Sequence, residues 1–226
     1  MMSQSISAAV HIQGPTIRYA ELERKGAGLG LRRVRRETFE FDVARALWGE
    51  GAGAEALDQV GTVVWESQED AEAVSLALVL HPLDVYSFFM PVPTGLSDQA
   101  LERRIAYQAA LVTDTRSAKA LHTTSQSLRT VEKEGETIEW IHVVAVPQAV
   151  AERMERLVSP FPAQETLRTV SSEAAARVMQ KRAEVKQTSL AGEEGACRLA
   201  IGQYPTHTEY ALVCQGEWHH AHATEE

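Results

Sequence analysis

The stretch from Ser75 to Val112 limits the possible folds more than any other part of the chain. Leu76–Leu80 is apolar throughout, and Val85–Met90 is rich in aromatic residues. Such runs suit strands of a sheet that is buried on both faces. Pro91 and Pro93 have no N–H to donate, so the ladder is expected to stop at them. Ser97 is placed to cap a helix, and Asp98 in the first turn favours the positive end of its dipole. Leu101, Ile105, Ala109 and Val112 then recur at helical spacing, with Glu102, Arg103 and Arg104 on the other side. The stretch predicts two strands, a Pro-bracketed corner and an amphipathic helix.

With 226 residues the chain has room for one large domain or two small ones. An apolar fraction of 44% and a charged fraction of 23% belong to globular proteins. A net charge of −9 argues against general binding of nucleic acid or anionic membranes. No run reaches the roughly 18 apolar residues of a spanning helix, and the polar N-terminus has no signal-peptide core, so a cytoplasmic location is expected. In that compartment Cys197 and Cys214 are expected to be buried free thiols, although they flank one predicted hairpin turn.

Ahead of the central stretch, Ser7–Gln13, Thr16–Arg24 and Leu31–Phe41 read as three strands, with turns at Gly14-Pro15 and Gly26–Gly30. Leu31 and Val34 break the alternation, which predicts a bulge. Helices are expected at Val43–Trp48, after Asp42, and at Ala54–Ser67. Beyond the Ser97 helix, Ser117–Val131 and Thr137–Val146 read as a strand pair around Glu134-Gly135-Glu136, with Trp140, His142 and Val144 on one face. Then come a helix at Gln148–Val158, a break at Pro160–Pro162, a strand at Glu165–Val170, and an Ala-rich helix at Ser172–Lys186 capped by Ser171. A polar linker leads to strands at Arg198–Gln203, Thr208–Val213 and Glu217–His222. Three closing strands without a partner layer cannot bury their own apolar face, so either they complete the first domain or they begin a second one that is cut short.

Three residue patterns suggest function. His219, His220 and His222 could chelate a metal, but no Cys, Asp or Glu completes the set at convincing spacing, and surface strand histidines are expected. Arg32, Arg33, Arg35 and Arg36 could contact nucleic acid, but with the overall negative charge a solvated edge strand is expected. No GxSxG occurs, and neither cysteine has the context of a reactive thiol, so Ser-His-Asp or Cys-His catalysis finds no support in the sequence.

The order of elements, together with HIQGPTIRYAEL at His11–Leu22, resembles the branch of the actin-like ATPase superfamily that contains the type IV pilus assembly protein PilM and the secretion-system L proteins. Ile12, Ile17, Arg18, Glu21 and Leu22 fit the first motif of that family, while His11 replaces its phosphate-site Asp and Gln13 its Gly. Pro91 or Pro93 followed by Leu101, Ile105 and Tyr107 resembles the start of the family's inserted subdomain, with Gln108 in place of Glu. Ala200-Ile201-Gly202 with Thr206 corresponds to the second phosphate motif, again without its Asp.

The resemblance implies an α+β, actin-like (RNase H-like) domain with an inserted sheet-and-helix subdomain and the first strands of a second actin-like domain. The corresponding division is 1–92 for the first subdomain, 93–158 for the insertion, 159–186 for the return, 187–194 for the linker and 195–226 for the second domain. It also implies a degenerate nucleotide site at Gly14, Arg18 and Gly202. Because Mg²⁺ prefers oxygen ligands and both acidic residues are replaced, no cofactor and no ATP hydrolysis are expected. The implied function is a non-catalytic scaffold of a pilus or type II secretion-like assembly. It would lie in the cytoplasm, peripheral to the inner membrane, and bind the cytoplasmic tail of a single-span inner-membrane protein between the main sheet and the insertion. Tyr86, Phe88, Phe89, Arg103, Arg104 and Tyr107 are the candidate contacts, with self-association as a further partner mode and no nucleic acid or membrane insertion. The alternative is an actin-like ATPase that uses ATP-Mg and whose second half lies outside this chain.

Overall fold

The computed structural model describes residues 6–25, 28–51, 54–65, 73–159, 161, 165–187, 197–204 and 207–225. The chain divides into two compact units, Met1–Asp84 with Pro147–Thr169 and Val85–Val146 with Val170–Glu226.

The first unit is built on a five-stranded sheet. Its strands are β1 (Ile6–Gln13), β2 (Thr16–Lys25), β3 (Gly28–Thr38), β4 (Ala73–Leu80) and β8 (Glu165–Val170), in the order β3-β2-β1-β4-β8. Along β1 the alternation is clean, with Ile6, Ala8, Val10 and Ile12 buried. The chain meanders antiparallel through β1, β2 and β3, then returns so that β4 lies parallel to β1. A central parallel strand is covered on both faces, which explains why Leu76, Leu78, Val79 and Leu80 are all buried. The expected bulge is present: Glu21 faces Arg33 and Leu22 faces Leu31, so Arg32 is the extra residue. Strand β3 is one of the two outer strands, and its exposed Arg32, Arg35 and Arg36 deter further pairing there. Tyr19 donates to the buried Glu21 carboxylate; burial, and then that carboxylate, push the phenol pKa far above its ordinary value.

Three helices accompany this sheet: α1 (Val43–Leu47), α2 (Ala54–Trp65) and α4 (Gln148–Val158). Asp42 Oδ1 accepts from Arg45 N at 2.9 Å and starts α1. At its other end Arg153 Nη1 donates to Leu47 O at 2.9 Å. A Cβ on Gly49, whose φ is +83°, would meet that same guanidinium at 3.0 Å, so the position excludes other residues twice over. Val150, Ala151, Met154, Leu157 and Val158 form the buried stripe of α4.

The second unit holds two three-stranded sheets. One has the order β5-β7-β6, from β5 (Tyr86–Pro93), β6 (Leu121–Lys133) and β7 (Glu136–Pro147). Glu134 at φ 55° and Gly135 at φ 83° make the tight turn between β6 and β7. The other sheet has the order β11-β10-β9, from β9 (Cys197–Gln203), β10 (His207–Cys214) and β11 (Glu217–Glu225). Helix α3 (Asp98–Val112) is capped by Ser97, whose Oγ accepts from Ala100 N at 3.4 Å. It packs Ile105 with Met90, Val92, Ile141 and Val143 to form one core, with Phe88 and Leu101 alongside. Helix α5 (Ser171–Gln187) brings Ala176 and Met179 to Ala211, Val213 and Trp218 in a second core, which Phe89 and Leu128 also join.

Several expectations need correction. The ladder does not stop at the prolines: β5 runs through both, with Pro91 opposite Trp140 and Pro93 opposite Ile138. It is an outer strand, where a missing N–H is tolerated. Val112 is 45% exposed, so the buried stripe of α3 ends at Ala109. Ser171 does not cap α5 but donates to Glu209, placing a buried carboxylate at the start of that helix. The cysteines are neither free nor buried together. Cys197 and Cys214 lie directly opposite in the β9–β10 register and form a disulfide, with Cys197 exposed. The three closing strands form a sheet of their own and do not join the five-stranded one. From residue 188 on, the expected linker lies outside the described residues, as do Gly26, Ser67, Pro160, Pro162 and Thr206. Among the described residues no helix is long and apolar enough to cross a membrane.

Candidate functional site

In the first unit the β1–β2 hairpin carries two of the three residues expected at a nucleotide site. Gly14 turns the chain at φ +52°, and its carbonyl accepts from Val43 N at 2.9 Å, tying the turn to α1. Across the hairpin His11 faces Arg18. Arg18 Nη1 donates to Gln13 Oε1 at 2.6 Å and lies 3.4 Å from His11 Nδ1. A guanidinium, an imidazole and an amide thus cluster on this hairpin. Asp42 lies beside the turn, but its Oδ1 is engaged as the cap of α1. This donor set does not fit Mg²⁺, which takes an octahedron of oxygens.

The third expected residue, Gly202, is not in a turn. It lies within β9 opposite Glu209, and a Cβ there would come within 2.9 Å of the Tyr204 ring. The glycine is therefore required by the close approach of an aromatic ring, and Ala200 beside it packs against the α5 core. The expectation of a phosphate-cradling turn at Gly202 is corrected accordingly.

The residues expected to bind a partner belong to the second unit but do not form one patch. Phe88 and Phe89 point to opposite faces of β5 and pack into different cores, while Tyr86 is half-buried. On α3, Arg103 and Arg104 are exposed, and Tyr107 (66%) and Leu111 (58%) stand out from the helix. These four make a cationic and apolar outer face. Among the described residues His219, His220 and His222 do not gather into a metal-holding group. His220 and His222 stack, with ring centroids 6.4 Å apart, on exposed positions of β11.

Sequence reasoning missed one arrangement in this unit. Ser87 Oγ lies 2.8 Å from His142 Nε2, and His142 Nδ1 lies 3.3 Å from Glu173 Oε2. Arg177 holds the other carboxylate oxygen, through Nε at 3.1 Å and Nη2 at 2.6 Å, and Nη2 also donates to Gln126 Oε1 at 2.6 Å. His142 is 1% exposed and Glu173 4%, while Ser87 is half-buried. Phe89 and Trp218 flank the imidazole with centroids 5.2 Å and 4.6 Å away, fixing the ring plane. The elements involved are β5, β7, β6 and α5. Only the shared face of Trp140, His142 and Val144 was visible as a signal beforehand.

No protein-family model matches this chain, and no curated protein matches it. Its structure is similar to a chain of the "PilM-PilN type IV pilus biogenesis complex", with a TM-score of 0.70 and 13% identity over 97% of this chain. This chain spans 61% of that one. Lower similarity is found to the cytoplasmic domain of EpsL, an inner-membrane component of the type II secretion system of Vibrio cholerae, with a TM-score of 0.47, 15% identity, and coverage of 98% of this chain and 71% of that one. A Bacteroides thetaiotaomicron protein of unknown function with an actin-like ATPase fold also scores 0.47, at 7% identity, covering 99% of this chain and 71% of that one. The fold is α+β and PilM-like, as the sequence resemblance implied.

Proposed function

We propose that this chain is a non-catalytic cytoplasmic scaffold in a pilus or secretion-type assembly, and that it binds the cytoplasmic tail of a single-span inner-membrane protein. The observation that carries the reading is the likeness, over nearly the whole chain, to a protein whose structure is that of a complex with a partner. The donor set on the β1–β2 hairpin supports the non-catalytic part, because a His–Arg–Gln cluster cannot neutralise phosphate charge through a metal. Arg103, Arg104, Tyr107 and Leu111 on α3 are the exposed groups best suited to an acidic, partly apolar tail, since Arg and aromatic side chains supply much of the energy at interfaces.

The test is calorimetric titration of the chain with the tail peptide of the single-span membrane protein encoded beside it. Binding in the micromolar range is expected, falling about tenfold or more when Arg103→Glu and Arg104→Glu are combined. No binding of the tail would overturn the scaffold reading, while unchanged binding by the double variant would move the contact off α3. ATP with Mg²⁺ is expected to leave the melting temperature unchanged. A clear upward shift would favour the ATPase alternative.

A further inference from the structure

We propose that Ser87 is a nucleophile activated by His142, with Glu173 positioning the ring, and that it accepts acyl groups from small carboxylic esters. The proposal does not depend on the docking reading, because no residue of the α3 outer face takes part, and it limits the non-catalytic part of that reading to nucleotide chemistry on the β1–β2 hairpin.

The proton positions follow from the partners. Glu173 is held at 2.6 Å by the Arg177 guanidinium, which favours the ionised carboxylate. A carboxylate only accepts, so the His142 nitrogen facing it, Nδ1, carries the proton. The other nitrogen, Nε2, then has a free lone pair, and Ser87 donates its hydroxyl proton to it at 2.8 Å. A nucleophile in hydrogen-bond contact with a base that a third group orients is the arrangement shared by serine hydrolases on unrelated folds. Here the base is also locked mechanically: Trp218 and Phe89 confine the imidazole, and Arg177 and Gln126 confine the carboxylate. Of the three residues, only Ser87 is half-buried rather than fully buried, so it is the end of the chain nearest to solvent. Its limited exposure is the reason for restricting the acyl donor to small esters.

In the first step Ser87 Oγ bonds to the ester carbonyl carbon while its proton moves to His142 Nε2. The carbon–oxygen bond to the alcohol breaks, and the departing oxygen takes that proton, leaving acyl-Ser87 and a free alcohol. In the second step water gives a proton to Nε2 and its oxygen to the acyl carbon. The bond between the acyl carbon and Ser87 Oγ then breaks, Oγ takes the proton back from Nε2, and the acid is released.

The experiment labels the full chain with an alkyl fluorophosphonate, reads the adduct by intact mass and maps it by peptide mass. A single adduct on Ser87 is expected, absent in Ser87→Ala. His142→Gln is expected to slow labelling about 100-fold, the usual contribution of a positioned base. Glu173→Gln should also slow it, and Glu173→Asp should recover part of the rate, which a purely structural carboxylate would not do. Folding of each variant is checked by circular dichroism. If His142→Gln does not fold, the wild-type rate in deuterium oxide decides: a clear slowing supports proton transfer to the base, and an unchanged rate overturns it. An unlabelled Ser87 in the folded chain, or equal rates with and without His142, also overturns it.

Discussion

The two faces of the β5-β7-β6 sheet lie one strand's thickness apart and follow different rules. On one, Phe88, Met90 and Val92 alternate along β5 and meet Ile141 and Val143 of β7 under Ile105 of α3. The buried cluster on that face is apolar throughout, and its cohesion comes from area removed from water. On the other, Ser87 and Phe89 meet Val144 and His142, and a chain of polar contacts runs from Ser87 through His142, Glu173 and Arg177 to Gln126. That face is held by polar groups that would be costly to leave unpaired. The comparison teaches that one strand can carry a tolerant surface and an exacting one, on alternate residues.

The sharpest way to break the comparison is to cut into the apolar face. Ile141→Ala is expected to cost about 3 kcal/mol, read as a lower urea midpoint, because the cavity cannot be filled from the other side of the sheet. Next in size, Glu173→Leu removes the acceptor of a buried imidazole and is expected to cost about 2 kcal/mol by the same measurement. A smaller cost would mean that His142 finds another partner and that the polar face is less exacting than described. Ser87→Ala should cost about 1 kcal/mol or less, since the half-buried hydroxyl gives up one hydrogen bond. Smallest of all, the Arg103→Glu and Arg104→Glu pair on the solvent side of α3 should change stability by about 0.5 kcal/mol or less. Any larger loss would place those arginines inside the fold and not on a docking surface.

The apolar face was legible in part, because the apolar and aromatic run at Val85–Met90 and the helical spacing at Leu101, Ile105 and Ala109 are local signals, whereas the alternation through Val92 was hidden by the expected stop at Pro91. The three opening strands, the β3 bulge and the Ser97 cap were legible for the same reason. The polar face was not. Ser87 and His142 are 55 positions apart, and their meeting depends on the β5–β7 register, while Glu173 depends on the phase of a helix that follows another unit's strand. The disulfide likewise needs the β9–β10 register, which composition does not contain. Gly202 was misplaced because a motif match treats every glycine as a turn, whereas here the neighbouring Tyr204 ring imposes it. The prolines were misread because their rule distinguishes inner from outer strands, and strand order is a tertiary fact.

Those prolines have a further consequence. Thr94 N donates inward, to Thr137 O of β7 at 3.1 Å, so along β5 the even-numbered amides face the partner strand and the odd-numbered ones face away. The outward positions 87, 89, 91 and 93 are therefore the ones that would offer donors to an additional strand, but the last two are proline. A neighbouring chain aligning along this margin would find carbonyls but no matching N–H groups over its last turn of pleat. The same two residues that allow β5 to complete its own sheet thus shorten the margin on which another strand could grow to its first half, a safeguard that works through missing atoms and not through charge.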